Sequence, residues 1–125
     1  MTKTCLIVDD SRMIRRVAGR ILKDLKFETS EAENGEEALD LCKANMPDAI
    51  LLDWRMPVMD GLEFLVALRK EAGGTKPVVV FCTAQRKIES ITQALEAGAD
   101  EYIMKPFDSE IIASKFFQAG LLEAA

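Results

Sequence analysis

The sequence predicts an α/β fold of the (βα)5 kind: a doubly wound, parallel five-stranded sheet with helices on both faces. Three observations carry that prediction. Short apolar runs suited to buried strands alternate five times with stretches whose apolar residues recur at helical spacing. The strand runs are near-continuous and rich in Val, Ile and Leu, as strands covered on both faces are. The connections are short, so successive strands run parallel and their crossovers are right-handed.

Taken in order, Cys5–Val8 reads as the first strand. Ser11 stands near the cap of the first helix, and Met13, Ile14, Val17, Ala18, Ile21, Leu22 and Leu25 fall on one face at a spacing of 3.6. Phe27–Ala32 alternates, with Phe27, Thr29 and Glu31 opposite Glu28, Ser30 and Ala32, which is the pattern of an edge strand. A helix over Gly35–Ala44, a strand over Ala49–Leu52 and a helix over Gly61–Lys70 follow. A strand over Val78–Cys82, a helix over Arg86–Ala97, a weaker strand over Tyr102–Met104 and a helix over Ser109–Leu122 complete the series.

With 125 residues, 49% of them apolar, the chain is long enough for one domain with a core that needs neither metal nor disulfide. No change of composition and no linker divides it, so residues 1–125 are expected to form a single domain with no separate output domain. The apolar runs Ala49–Leu52 and Pro77–Cys82 fall far short of the roughly 20 residues of a membrane span. Asp9 and Asp10 interrupt the apolar stretch near the amino end, which is not a signal peptide. A cytoplasmic monomer with no membrane partner is expected.

Acidic residues number 21 against 16 basic, a net charge of −5 that disfavours a phosphate backbone as partner, so no nucleic-acid binding is expected. The balance is uneven. Residues 11–26 hold Arg12, Arg15, Arg16, Arg20, Lys23 and Lys26 against Asp24, a local +5 that leaves −10 for the remainder. Such a helix is either a solvated charge stripe or a dock for an acidic protein surface. Histidine is absent, which excludes Ser-His and Cys-His nucleophile pairs, histidine metal sites and phosphohistidine on this chain. Cys5, Cys42 and Cys82 form no CxxC and are odd in number, so they read as small buried hydrophobes.

In a doubly wound sheet, ligands bind beyond the carboxyl ends of the strands. Those ends carry Asp9-Asp10, Asp53-Trp54-Arg55, Thr83-Ala84 and Lys105-Pro106-Phe107. Three carboxylates brought together repel one another, and a hard divalent cation such as Mg²⁺ neutralises them while leaving positions for phosphate oxygens. The competing reading of Asp9-Asp10 is a pair of turn residues capping the first helix. A carboxylate can also attack phosphorus to give an aspartyl phosphate, with Lys105 and the Thr83 hydroxyl available to the phosphoryl oxygens. Charge does not decide which aspartate attacks. Asp53 is favoured because Asp9 and Asp10 are adjacent and suit joint metal duty.

These residues resemble the receiver domain of two-component response regulators. The likeness rests on Asp9-Asp10, the run from Asp53 to Gly61, Thr83-Ala84 and Lys105-Pro106-Phe107, and spans the whole chain. Spacings of 43, 30 and 22 residues between Asp10, Asp53, Thr83 and Lys105 agree with it. Within the family the sequence is similar to stand-alone chemotaxis regulators of the CheY type, and the fold implied is flavodoxin/CheY-like. The resemblance implies that Asp53 is the phosphoacceptor and that Asp9, Asp10, Asp53 and the Arg55 backbone carbonyl hold Mg²⁺. It places Thr83 and Lys105 on the phosphoryl group, Tyr102 as the switch aromatic and a cis bond at Lys105-Pro106. It puts a tight turn at Gly61, before the third helix. Tyr102 also reads as an ordinary, partly buried strand-end aromatic.

The implied function is a phosphorylation-activated signalling switch that catalyses only its own phosphorylation and dephosphorylation. Its implied partners are a histidine kinase or phosphotransfer protein and an output protein on the helix 4, strand 5, helix 5 face, such as a flagellar motor switch. That face offers Ile88, Ile91, Phe116, Phe117 and Leu121, some of them core, and Leu121-Leu122 reads as helix packing or part of a partner patch. A phosphorelay shuttle and a kinase-regulating receiver are the alternatives. Arg55 and Gln85 depart from the chemotaxis pattern, which has Asn and Glu there, and both tune how water reaches the phosphoryl group. A phosphatase of the haloacid-dehalogenase class needs an aspartate where Arg55 stands, and a flavin mononucleotide binder needs a hydroxyl-rich loop where Asp9-Asp10 stand. A receiver-shaped module that takes no phosphate is the remaining reading.

Overall fold

The computed structural model describes residues 2–84 and 87–122. Its elements are β1 (Thr4–Val8), α1 (Arg12–Asp24), β2 (Glu28–Ala32), α2 (Gly35–Ala44), β3 (Ala49–Asp53), α3 (Gly61–Lys70), β4 (Val78–Thr83), α4 (Ile88–Glu96), β5 (Glu101–Met104) and α5 (Ser109–Gln118). All strand pairs are parallel, in the order β2-β1-β3-β4-β5. The expected architecture is present in full.

The alternation of strand side chains splits the core in two. Cys5 and Ile7 of β1, Ala49 and Leu51 of β3, Val80 and Cys82 of β4 and Ile103 of β5 pack with Ala18 and Leu22 of α1 and with Ile112 and Phe116 of α5. Leu6, Val8, Ile50, Leu52, Val79 and Phe81 face the other way, onto Ala38 and Cys42 of α2, Phe64, Leu65 and Leu68 of α3 and Ala94 of α4. Each fully buried Leu, Ile or Phe contributes about 1.5–3 kcal/mol. Phe27 and Phe116 close the α5 side edge-to-face, with ring centroids 5.5 Å apart. Chain order reverses at β1, so the ends of β1 and β3 lie side by side where a site is built in such sheets.

Local chemistry sets the helix boundaries. Ser11, Asn34, Asp60 and Asp108 each cap a helix by accepting a backbone N–H with a side-chain oxygen, and Asp60 and Glu63 form a reciprocal capping box. The helix expected over Ser109–Leu122 stops instead at Gln118. Gly120 adopts φ 82 and its N–H turns back to the Phe117 carbonyl, so Leu121 and Leu122 lie past the end. The fourth helix, expected from Arg86, runs over Ile88–Glu96, and Arg86 lies outside the described residues.

Only part of the apolar face of α1 meets the sheet. Its seven apolar positions spread over about half the helix circumference, and the sheet touches only the part centred on Ala18 and Leu22. Met13 is 74% exposed and Val17 is exposed as well. On the α4-β5-α5 face, Phe116 and Leu121 are core, while Ile88, Leu95, Ile111 and Phe117 are exposed. Ile91 is half-buried. No helix among the described residues is long and apolar enough to cross a membrane.

Candidate phosphorylation site

The carboxyl ends of β1, β3, β4 and β5 bring Asp9, Asp53, Thr83 and Lys105 to one edge of the sheet. Asp9, Asp53 and Thr83 are only 4%, 7% and 3% exposed, so two carboxylates there are almost stripped of water. Asp10 is exposed beside them, and one ligand oxygen from each of Asp9, Asp10 and Asp53 lies within 4.8 Å of the others. The Lys105 ammonium donates to Asp9 Oδ2 at 2.9 Å and to Asp53 Oδ1 at 3.1 Å. The Lys105 ammonium thus bridges two buried carboxylates, with a third alongside.

That crowding shows in the acidity of the groups. Burial pushes the Asp53 carboxyl up, and the charge of Asp9 adds to the shift. The Lys105 charge and its hydrogen bond, with one from the Trp54 backbone, pull it back to a balance of about 6 against an ordinary 3.8. Burial works to lower the Lys105 pKa, but its hydrogen bonds and attraction to Asp9 and Asp53 outweigh this and raise it. Cys82, paired in register with Asp53, is pushed up to about 12 by burial and by the two carboxylates, despite Lys105, and Cys5 reaches about 12 by burial. These thiols are inert hydrophobes, and all three cysteines are buried and free.

Asp9 makes the turn contact that the sequence allowed and also faces the site. Its Oδ1 accepts the Ser11 N–H at 2.9 Å, a turn contact at the entry of α1, while its Oδ2 faces Lys105. The donor set offered by Asp9, Asp10 and Asp53 consists of hard carboxylate oxygens, two of the residues buried, which fits Mg²⁺. Asp53, Arg55, Thr83, Ala84 and Lys105 line an open hollow of about 360 Å³, room for a phosphoryl group and its waters.

Tyr102 is half-buried on the α2-α3-α4 side and stacks at 6.4 Å on Phe81, whose ring in turn meets Trp54 at 5.0 Å. An aromatic path thus joins the residue after Asp53 to β5. Arg55 lies at the rim of the hollow. Gln85, the other position expected to tune water access, lies outside the described residues. The Lys105-Pro106 bond is cis, as the resemblance implied.

Two supports of the site were not read from the sequence. Arg15 donates from Nη1 to the Asp9 carbonyl at 2.7 Å and from Nε to Glu31 at 2.9 Å, tying the end of β1 to the edge strand. An arginine six residues after an aspartate belongs to no local rule, so only the fold reveals the contact. The β3-α3 loop is the second support. The Met59 N–H bonds the Pro57 carbonyl at 2.8 Å across Val58, whose φ is 70, a conformation unfavourable for a β-branched residue. The expected tight turn at Gly61 is also a close approach. Its N–H donates to the Trp54 carbonyl at 2.7 Å, and a Cβ there would sit 2.1 Å from the Asp53 carbonyl oxygen. Gly61 lets α3 begin directly against the peptide that carries Asp53.

Comparison with known proteins agrees with this geometry. Residues 5–116 match the family described as response regulator receiver domain. The chemotaxis protein CheY of Pseudomonas aeruginosa is 36% identical over 111 residues, covering 88% of this chain and 90% of that protein. The structure of Vibrio cholerae chemotaxis protein CheY4 superimposes with a TM-score of 0.90 at 29% identity, over 95% of this chain and 99% of that one. A chain of the CheX-CheY-BeF3-Mg2+ complex from Borrelia burgdorferi does so with a TM-score of 0.89 at 27% identity, over 94% and 89%. The chain belongs to the response regulator receiver domain family, whose members are signalling switches activated by phosphorylation.

Proposed function

We propose that this receiver accepts a phosphoryl group on Asp53 from a phosphohistidine of a histidine kinase or phosphotransfer protein, with Mg²⁺ as cofactor. The observation that carries the reading is the gathering of three carboxylates at the sheet edge, Asp9, Asp10 and Asp53, two of them buried and paired to the Lys105 ammonium. Asp9, Asp10, Asp53 and the Arg55 backbone carbonyl would hold the ion. When bound, Mg²⁺ neutralises the carboxylates and offsets the charge of the phosphoryl oxygens.

The chain's own residues do the rest. An Asp53 oxygen forms the bond to phosphorus as the donor's P–N bond breaks, and the imidazole leaves with the electron pair and takes a proton from water. Lys105, already poised on Asp53, balances a phosphoryl oxygen, and the Thr83 hydroxyl donates to another. Drawing Thr83 inward changes the space beside β4, which the Tyr102 ring adjusts to fill. Arg55 and Gln85 set how water reaches the aspartyl phosphate and hence its lifetime.

The output is a change in the α4-β5-α5 face, where Ile88 is 78% exposed and Leu95, Ile111 and Phe117 are also open to a partner. Similarity to chemotaxis proteins supports a role in chemotaxis, with a flagellar motor switch as the partner. The deciding experiment is intact-protein mass after treatment with a small phosphodonor, with and without Mg²⁺. One phosphate should be added only with Mg²⁺ and not at all to Asp53→Asn. Phosphate addition to the Asp53→Asn variant would move the acceptor elsewhere. For the switch, Thr83→Ala and Tyr102→Ala should still accept phosphate yet lose the phosphorylation-dependent gain in partner affinity. Both variants keeping that full gain would reject it.

A further inference from the structure

We infer that the flank of α1 turned toward the edge strand β2 is a docking surface for an acidic α-helix of a partner protein. Arg12, Arg16, Arg20 and Lys23 follow at spacings of 4, 4 and 3 residues and are all exposed. On a helix they occupy an arc of roughly 80°, well away from the buried Ala18 and Leu22. Among the described residues none of the four forms an ion pair, whereas Arg15, on the same helix, is bound to Glu31 and the Asp9 carbonyl. Arg16, Arg20 and Lys23 border a groove of about 450 Å³ floored by the buried Gly19.

Local physics opposes this arrangement. Like charges at i, i+4 destabilise a helix, and the first turn of α1 contains no acidic residue although its dipole favours one there. Gly19 adds to the cost. A Cβ at that position would meet only Ile7 Cδ1 at an ordinary 3.7 Å, so packing does not demand glycine in mid-helix. Choices that cost folding stability and gain nothing inside the molecule mark a surface shaped for something outside it.

Charge complementarity and dimensions identify the occupant. The stripe is about 16 Å long, three turns of helix. Everything outside residues 11–26 sums to −10, and Asp24 and Glu31 stand at the groove itself. A nucleic-acid duplex or an anionic bilayer would press a broad negative surface against those acids as well. A single helix with carboxylates at i, i+4, i+8 and i+11 meets the cations alone. The surface lies on the opposite flank of α1 from Ile14 and Val17, which face the Lys105-Pro106-Phe107 loop, so it is separate from the phosphorylation site.

The test uses the full chain and a labelled helical peptide carrying glutamates at that spacing, read by fluorescence anisotropy at low and high salt. The glutamate peptide should bind, its lysine counterpart should not, and added salt should weaken the complex. Arg16→Gln with Arg20→Gln should weaken binding about tenfold, as the loss of two exposed charge pairs implies. Arg16→Lys with Arg20→Lys should retain most of it, with circular dichroism and phosphate uptake unchanged in both variants. Equal binding of the two peptides, or no effect of the glutamine substitutions, would overturn the inference. So would tighter binding of duplex DNA or phosphatidylserine vesicles than of the peptide, or self-association of the chain that the glutamine substitutions abolish.

Discussion

The two ends of the sheet treat charge in opposite ways. At the amino end, Asp48 precedes β3 and accepts the Thr4 N–H at 2.8 Å and the Thr4 hydroxyl at 3.3 Å, while its own N–H reaches Thr4 Oγ1. Asp100 precedes β5 and accepts the Val79 N–H at 2.8 Å and Arg69 Nη2 at 3.2 Å. Arg69 also donates to the carbonyls of Gly74, Pro77 and Gly98, so one guanidinium joins the end of α3 to the entries of β4 and β5. At the carboxyl end, by contrast, three carboxylates gather, two of them on the Lys105 ammonium, and a β-branched residue adopts φ 70. The amino end closes its polar groups internally and serves stability. The carboxyl end gathers carboxylates at close range, two of them buried, and it is there that a ligand is proposed.

The largest way to break this contrast is Gly61→Ala. The added methyl must displace the Asp53 carbonyl or the start of α3. A misplaced nucleophile costs phosphorylation on the order of 100-fold, measured as the rate of phosphate uptake. Stability should fall as well, by about 1–3 kcal/mol in urea unfolding. At the other end Arg69→Met should lower stability by about 3 kcal/mol, because it removes a donor from three backbone carbonyls and the charge partner of Asp100. Mg²⁺ binding and phosphate uptake should be unchanged. Equal damage to uptake and stability in Arg69→Met would remove the division of labour.

A smaller effect is expected in the β3-α3 loop. Val58→Gly should raise stability by about 1 kcal/mol, since Gly adopts without steric cost the positive φ that a β-branched Val adopts at a cost. Thermal unfolding reads it. A loss of stability would mean that the exposed valine makes a contact worth more than its strain.

What was legible in the sequence divides along the same line. The polar residues that follow the apolar strand runs are conspicuous, so Asp9, Asp53, Thr83 and Lys105 could be placed at one edge before any coordinates. The α2 and α3 boundaries agree because Asn34 and Asp60 cap them with their own side chains. The end of α5 was missed because Phe116, Phe117, Leu121 and Leu122 continue a helical spacing through Gly120, and only its left-handed φ ends the helix. Met13 and Val17 share the apolar face of α1 yet stand exposed, because periodicity gives an apolar arc without saying which part meets the sheet. Arg15 and the Arg69 hub were invisible, since both depend on contacts between elements distant in sequence.

The most direct test compares the unfolding free energies of wild type and Asp53→Asn at about pH 7 and pH 3, with and without Mg²⁺. The Asp53 carboxyl rises from 3.8 to about 6 on folding. Between those values the folded protein holds a proton that the unfolded chain has released, so stability falls as pH rises through that window. The neutral Asn variant escapes this loss. Without Mg²⁺ it should exceed wild type by up to about 3 kcal/mol more at pH 7 than at pH 3, where Asp53 is protonated in both states. Saturating Mg²⁺ at pH 7 should stabilise wild type and shrink that margin. A margin independent of pH and of Mg²⁺ would contradict the account, because the carboxyl end would then hold its charges as comfortably as the amino end does.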